Sequence, residues 1–299
     1  MRVKLRLLVG VLCVALSPSA FAWWTEGHEC IVEAAASVLP QDMAAFFRQG
    51  ARTIGASAMD PDLWTDKNLL GLSAAEAGNH FFDIEMLGGG EAPVTRPGFI
   101  GLCRVLKLEP EKVGTLPYAV QEWQTRLAIA FAEHRKWPQS EAVKAKVLLT
   151  AGVLSHYTGD ACQPLHCTVH YDGRLRADGS SPRSGIHFRM DSLPGRAGLK
   201  PEELTHGVKV AAVRDAFAAA METITRSSKL SARVYELEAK LPPAGGAPTG
   251  ALPDDVRRLA VDCCTEGTRL TATLWYSAWV DSKDVKLPDW HVQPQVNTQ

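Results

Sequence analysis

Residues 140–160 read SEAVKAKVLLTAGVLSHYTGD, and this stretch decides the fold class. Ser140 is a favourable N-cap residue, and apolar residues recur behind it at helical spacing, so the stretch predicts a long helix. Near its end, His156 and Asp160 are spaced i and i+4 and therefore leave the same face of the helix. The predicted apolar face comprises Val143, Val147, Leu148 and Leu154.

Other segments also have helical patterns. Residues 119–134 (AVQEWQTRLAIAFAEH) place Val120, Trp123, Leu127, Ala130 and Phe131 at helical spacing. Alternating strand patterns are nearly absent, so we predict a single all-α domain whose helices are joined by long loops. Further helices are expected at 26–39, 41–50, 201–240 (with a break near Ser227) and 254–280, with loops at 171–185 and 241–253.

The first 22 residues are typical of a signal peptide. A basic start precedes ten apolar residues (7–16), and Ala20-Phe21-Ala22 fits the cleavage rule. We therefore expect residues 23–299 to form an exported domain, periplasmic or extracellular, without a transmembrane anchor. Removing three of the 32 basic residues leaves 29 against 33 acidic ones, a net charge of about −4, which gives no broad basic surface for nucleic acid.

Six cysteines remain after residue 22, and an even number in an oxidising compartment predicts up to three disulfide bonds. Free buried thiols and zinc-binding thiolates are the alternatives, although the sequence has no C-x-x-C pair. These cysteines are Cys30, Cys103, Cys162, Cys167, Cys263 and Cys264.

Histidines and acids recur together in short motifs. In SHYTGDACQPLH, Pro164 ends the helix and lets His166 return toward His156 and Asp160, a set that could bind one or two zinc ions. A capped, solvated helix end is the competing interpretation. Similar motifs supply His187 with Asp191 (GIHFRMD), His80 with Asp83 as an acceptor that orients its ring (GNHFFDIE), and Asp60 with Asp62 (AMDPDLW). His170, four residues after His166, is a further candidate ligand or substrate contact.

The ordered set of these motifs behind Trp23 resembles the zinc-dependent phospholipase C / P1 nuclease superfamily. The match runs from Trp23 to Asp191, and HYTGDACQPLH is its most specific element. The resemblance implies an all-α fold with three zinc ions in one cleft. One ion would take Asp62 (or Asp60), His80, His156 and Asp160; a second would take the amine and carbonyl of Trp23 with His28 and Asp160; a third would take His166, His187 and Asp191.

The implied activity is hydrolysis of a phosphodiester by a zinc-activated water, with Asp62 and Asp160 at the catalytic centre. The short step from Trp23 to His28 resembles the nuclease branch, so a nuclease on single-stranded nucleic acid is our first hypothesis. A phospholipase C acting on phospholipid head groups is the alternative, and an inactive zinc-binding protein is the third. No obligate protein partner is evident. Candidate base-stacking residues are Trp64, Trp137 and Tyr171.

Overall fold

The structure is a computed structural model that describes residues 23–244 and 251–292. Within these ranges the chain is all-α, and the only extended pairings are two isolated β-bridges. The predicted signal peptide, residues 1–22, lies outside the described residues. The α-helices are α1 Thr25–Ser37, α2 Ala45–Gln49, α3 Ala51–Ser57, α4 Asp60–Trp64, α5 Leu70–Glu76, α6 Arg96–Leu106, α7 Pro110–Val113, α8 Leu116–Lys136, α9 Glu141–Asp160, α10 Ile186–Asp191, α11 Leu193–Ala197, α12 Ala216–Glu236 and α13 Asp254–Asp281.

Helix α9 lies at the centre of the fold, where it packs against α3, α8 and α13. Its first turn is capped as predicted, since the Ser140 hydroxyl accepts a hydrogen bond from the Val143 amide at 3.4 Å. Val143, Val147 and Leu154 are buried, and Leu148 is partly buried. The helix ends at Asp160, so its last turn carries His156 and Asp160 into the middle of the protein.

Two glycines let other helices approach α9 closely. A Cβ at Gly152 would lie 2.5 Å from the carbonyl oxygen of Ile54 on α3. A Cβ at Gly159 would lie 2.8 Å from the ring of His28 on α1. Real Cβ atoms do not approach neighbours this closely, so glycine at position 159 is what allows an imidazole from α1 to rest on the end of α9.

The apolar interior has two parts. The larger surrounds α8, α9 and α13, and Trp275 ties two of these helices together by donating from Nε1 to the Ala151 carbonyl at 3.1 Å. The smaller contains Trp23, Ile186 and Leu193, which bring α10 and α11 against the start of the described chain. The metal-ligand candidates described below lie at the ends of elements that meet these two parts.

The prediction for 201–240 is wrong in its details. A 3₁₀ helix covers only Pro201–Leu204, and Gly207 then adopts a left-handed conformation (φ 73°) that ends regular structure. Helix α12 begins afresh after Asp215, whose side chain accepts from the Ala218 amide at 2.9 Å. No break occurs at Ser227, because its hydroxyl donates to the Ala161 carbonyl at 2.7 Å and so does not compete for the backbone carbonyls of its own helix.

Two other expectations also differ from the structure. The helix expected over 41–50 is reduced to α2, because residues 41–43 form a turn. None of the predicted disulfides is formed, and the six cysteines after residue 22 are buried free thiols. They are held by packing and by weak hydrogen bonds, such as that from the Cys162 thiol to the Thr158 carbonyl at 3.0 Å. No helix among the described residues combines the length and apolar character needed to cross a membrane.

Candidate metal centre

Eight histidine and aspartate side chains converge at one buried place. No more than 7% of the surface of any of these eight residues is exposed. They come from separate elements, and each lies at or near an end of a helix that points inward. The eight are His28 (α1), Asp62 (α4), His80 (the 3₁₀ helix Ala77–His80), His156 and Asp160 (α9), His166 (the 3₁₀ helix Pro164–His166), and His187 and Asp191 (α10).

The first group of potential ligands consists of His28, His156 and Asp160, whose ligand atoms lie within 4.8 Å of one another. The His28 ring stacks on the His156 ring with centroids 4.4 Å apart. His28 Nε2 lies 3.6 Å from Asp160 Oδ1. The two rings are stacked and their nitrogens face the same carboxylate. This arrangement suits the binding of one cation by all three side chains.

The second group consists of Asp62, His80 and His156. Asp62 Oδ1 lies 3.6 Å from His156 Nε2 and 3.7 Å from His80 Nδ1. The two imidazole nitrogens are only 3.0 Å apart. Such a pair can share one proton, whereas two neutral rings can direct both lone pairs at one metal ion.

Asp160 belongs to the first group and also lies beside both imidazoles of the second, of which His156 is common to the two groups. Its Oδ1 faces His28, whereas its Oδ2 lies 3.2 Å from His80 Nδ1 and 3.3 Å from His156 Nε2. A carboxylate whose two oxygens face different sets of imidazoles is placed to serve two cations at once.

The third group consists of His166, His187 and Asp191. The two rings stack with centroids 4.9 Å apart, and His187 Nε2 lies 3.2 Å from Asp191 Oδ2. Asp191 Oδ1 is occupied, because it accepts from Gln163 Nε2 at 2.5 Å. Gln163, which the sequence motifs did not single out, therefore fixes the carboxylate and leaves Oδ2 facing His187, while His166 Nε2 lies 3.9 Å from Oδ1.

The rings are oriented by acceptors on their far sides. His156 Nδ1 lies 2.8 Å from the Ala58 carbonyl, and His166 Nδ1 lies 2.6 Å from the His80 carbonyl. A carbonyl can only accept, so both Nδ1 atoms carry a proton, and in the neutral rings both Nε2 atoms present a lone pair to the cluster.

For His80 the orienting residue is Glu76, not Asp83 as expected. Glu76 Oε1 lies 3.5 Å from His80 Nε2, and Glu76 is itself held by the Tyr157 hydroxyl and by Asn79 Nδ2. Asp83 is buried, but its amide donates to the Val113 carbonyl at 2.7 Å and its carboxylate is not among the partners of the His80 ring. The i, i+4 spacing of Glu76 and His80 is the signal that could have identified this pair.

Unsatisfied polar atoms are concentrated in the cluster. Twelve buried side-chain nitrogen and oxygen atoms of the described residues lack a hydrogen-bond partner, and all but His134 Nδ1 belong to these eight side chains. Native proteins keep few such atoms, because each costs about 1–3 kcal/mol. Eleven of them converging in one place fit a bound cation: neutral imidazoles and carboxylates are the donors that zinc takes in proteins.

Burial and mutual charge shift the pKa values within the cluster in opposite directions. Burial alone would lower the pKa of His80, but hydrogen bonds to Asp160 and Glu76 raise it to about 10. Burial lowers the pKa of His187 to about 3. Burial would raise the pKa of Asp160, but the neighbouring His156, His166 and His80 hold this pKa well below its usual range. Burial raises the pKa of Asp191 well above the usual range of an aspartate. The cluster thus holds at least one carboxylate charge at neutral pH.

Other predicted site residues lie elsewhere. Asp60 is only half-buried and belongs to none of the three groups, which include Asp62 instead. The His170 ring accepts from the Leu175 amide at 3.0 Å and is likewise outside them. Trp23 is buried with its Nε1 donating to the Gly159 carbonyl at 3.0 Å, which brings it beside the first group. Its role as an N-terminal ligand depends on cleavage after Ala22, which lies outside the described residues.

A pocket of about 500 Å³ opens onto the cluster at His80, His166 and His187. Of the proposed stacking residues, Tyr171 lines it, whereas Trp64 packs on Trp123 with centroids 6.3 Å apart. Trp137 packs near His291, with centroids 5.0 Å apart, and is not among the lining residues. The rest of the lining comprises Thr65, Lys67, Ser73, Ala77, Phe81, Asp83, Glu111, Lys112 and Leu165.

Two solved structures are similar to this chain. The alpha-toxin of Clostridium perfringens, from avian strain SWCP, aligns with a TM-score of 0.46 and 12% identity over 90% of this chain and 66% of that one. The alpha toxin of Clostridium absonum aligns with a TM-score of 0.45 and 13% identity, over 90% and 65%. The chain therefore spans just under two thirds of the length of either toxin. No protein-family model and no curated protein matches the sequence.

Proposed function

We propose that this protein is an exported hydrolase that cleaves phosphodiesters with the help of three zinc ions. The observation that carries the proposal is the convergence of three His/Asp groups in one centre beside a pocket, with eleven buried polar atoms that lack a hydrogen-bond partner among their eight side chains. The first two groups have His156 in common, and the two oxygens of Asp160 face one group each. Trp23 would complete the first group after removal of residues 1–22. The third group would be held by His166, His187 and Asp191.

Zinc bound there would supply a Lewis acid for the phosphoryl oxygens and would lower the pKa of a nearby water. The residues of the chain prepare the site for that chemistry. The carbonyls of Ala58 and His80 fix two imidazole tautomers, and Gln163 fixes the Asp191 carboxylate. Burial of all eight side chains keeps bulk water away from their charges, which strengthens each electrostatic contact.

A phospholipid is the substrate class that we favour. The pocket wall is mostly apolar, with Phe81, Leu165 and Tyr171 facing the space next to the histidines. Two lysines, Lys67 and Lys112, line the same pocket and bring positive charge that suits a phosphate group, with Lys112 Nζ also donating to Glu109 Oε1 at 2.7 Å. A mildly acidic chain without a broad basic surface has little to hold a polynucleotide backbone.

Single-stranded nucleic acid is the second candidate. Phe81 and Tyr171 are aromatic residues of the pocket, and Tyr171 is 39% exposed with its ring 5.9 Å from that of His187. Exposed aromatic rings near a phosphodiester site can stack on bases.

The test is turnover by the zinc-loaded protein beginning at Trp23, with phosphatidylcholine and single-stranded DNA offered separately. Each assay is run with and without a chelator. We expect chelator-sensitive release of phosphocholine. Release of nucleotides alone would move the protein to the second candidate, and a lack of turnover on both substrates in a protein that carries zinc would overturn the proposed activity.

A further inference from the structure

Exposed leucines are concentrated in one short segment. Thirteen large apolar side chains of the described residues are exposed, and four of these fall between positions 63 and 72. Leu63, Leu69, Leu70 and Leu72 are 65%, 48%, 79% and 45% exposed. We refer to these four side chains as the leucine patch. Scattered exposed leucines are ordinary, but a contiguous set marks a surface that meets another apolar phase.

The segment that carries the patch is held in place. The Ser73 hydroxyl donates to the Thr65 carbonyl at 2.9 Å, which folds the start of α5 back on the end of α4. The Leu69 amide donates to the Asp66 carbonyl at 2.8 Å in the turn between them. On the inner side, Trp64 packs on Trp123 of α8. Because the backbone is tied in this way, the leucines face solvent as a property of the fold.

The patch is continuous with the mouth of the pocket. Thr65, Lys67 and Ser73, which lie between or next to the leucines in the same segment, line the pocket that opens onto His80 and His187. A molecule that covers the patch therefore also covers this side of the entrance to the metal centre.

We propose that the leucine patch docks the protein on a phospholipid surface, with the pocket mouth facing the head groups. This inference rests on the proposed function, because a lipid whose head group enters the pocket keeps its acyl chains among its neighbours. Leucines can enter the boundary between head groups and acyl chains, and the exposed Lys67 amid them suits lipid phosphates.

Other occupants fit the patch less well. Leucines offer nothing to the phosphates of a nucleic acid, whose binding depends on cationic side chains. Four leucines exposed to this degree offer roughly 400 Å² of apolar surface, about half of what each partner buries in a stable protein interface. The patch is thus too small to hold a second copy of the chain by itself.

The experiment compares the zinc-loaded protein with the double variant Leu63→Gln/Leu70→Gln. The matched control is Leu149→Gln/Leu230→Gln, which alters two exposed leucines on α9 and α12 (48% and 38% exposed). Binding is measured by co-sedimentation with 100-nm vesicles of long-chain phosphatidylcholine. Turnover is measured on those vesicles and on dihexanoylphosphatidylcholine below its micelle concentration, which presents no surface.

The patch variant is expected to bind vesicles roughly ten- to a hundredfold more weakly, with turnover on vesicles falling in parallel, because two leucines no longer leave water. Turnover of the dispersed lipid should stay unchanged, and the control should behave as the wild type does. Three results would each overturn the proposal. They are unchanged vesicle binding by the patch variant, a loss of turnover on dispersed lipid equal to the loss on vesicles, and a wild type that is dimeric where the patch variant is monomeric. If the wild type binds vesicles through the patch yet turns over neither lipid, the docking surface stands and the proposed activity fails.

Discussion

Asp160→Asn is the most informative single change in the metal centre. The two Asp160 oxygens face different imidazoles, with Oδ1 toward His28 and Oδ2 toward His80 and His156. The substitution keeps the volume of the side chain but removes its charge and turns one oxygen into an amide nitrogen that zinc does not bind. We therefore expect the loss of two ions, so that zinc content falls from about three per chain to about one.

The effect on stability follows from linkage. An ion at a free concentration of one hundred times its dissociation constant contributes about 2.7 kcal/mol, so the loss of two ions removes about 5 kcal/mol. In a protein of this size that corresponds to a melting temperature lower by roughly 10–20 °C. Turnover should fall with zinc content, since His80 of the second group lines the pocket.

The assay is elemental analysis of desalted protein together with thermal unfolding, with and without a chelator. The chelator should reduce the difference in melting temperature between variant and wild type, because most of that difference comes from bound metal. Asp60→Asn is the matched control, since it makes the same chemical change two residues from Asp62 but outside the three groups. Three ions per chain in Asp160→Asn, or a melting temperature within about 3 °C of the wild type, would refute the shared-carboxylate argument.

Three further predictions concern the same centre. Asp62→Asn should lose about one zinc ion per chain while Asp60→Asn keeps all of them, and equal zinc contents in the two variants would show that the wrong aspartate has been chosen. Glu76→Gln should weaken zinc binding by roughly ten- to a hundredfold, because Glu76 orients His80, whereas Asp83→Asn should leave the affinity unchanged; competition with a chromogenic chelator measures both. Zinc binding at pH 7.5 should release protons, because His80 with a pKa of about 10 is protonated in the metal-free protein and must become neutral to bind. Affinity should accordingly rise with pH toward 10; calorimetry in buffers of different ionisation enthalpy counts the protons, and a count of zero would contradict the assigned charge state.

The long helices could be predicted from the sequence because their periodicity is strong and their caps are local. Ser140 marks the start of α9, and the pattern of residues 119–134 lies inside α8. The region 201–240 could not be predicted correctly, because the path of residues 205–215 between the 3₁₀ helix and α12 is held by contacts with other helices as well as by the local cap at Asp215. One such contact joins the Val213 amide to the Ser277 hydroxyl at 2.9 Å, between positions far apart in the chain.

The candidate ligands could be identified because short motifs such as SHYTGDACQPLH keep histidine and acid at fixed spacing. Of their supports, the Ala58 carbonyl beside His156 could not be identified, since the two become neighbours only through tertiary packing. Glu76 could have been identified, because it lies four residues before His80. The sequence also could not decide whether Asp62 or Asp60 is the ligand. Which of the two side chains points inward depends on the direction in which the short helix α4 meets the cluster.

The buried free cysteines have a practical consequence. Burial raises the pKa of the Cys162 and Cys103 thiols, and a protonated, enclosed thiol reacts with alkylating reagents only when the surrounding structure opens. Cys162 lies two residues beyond Asp160, whereas Cys103 lies on α6 and is not among the cluster's neighbours. The rates of alkylation at the two positions, followed by mass spectrometry, therefore measure local opening in the native protein. The rate at Cys162 reports how often the metal centre opens, and the rate at Cys103 reports how often a distant part of the fold opens.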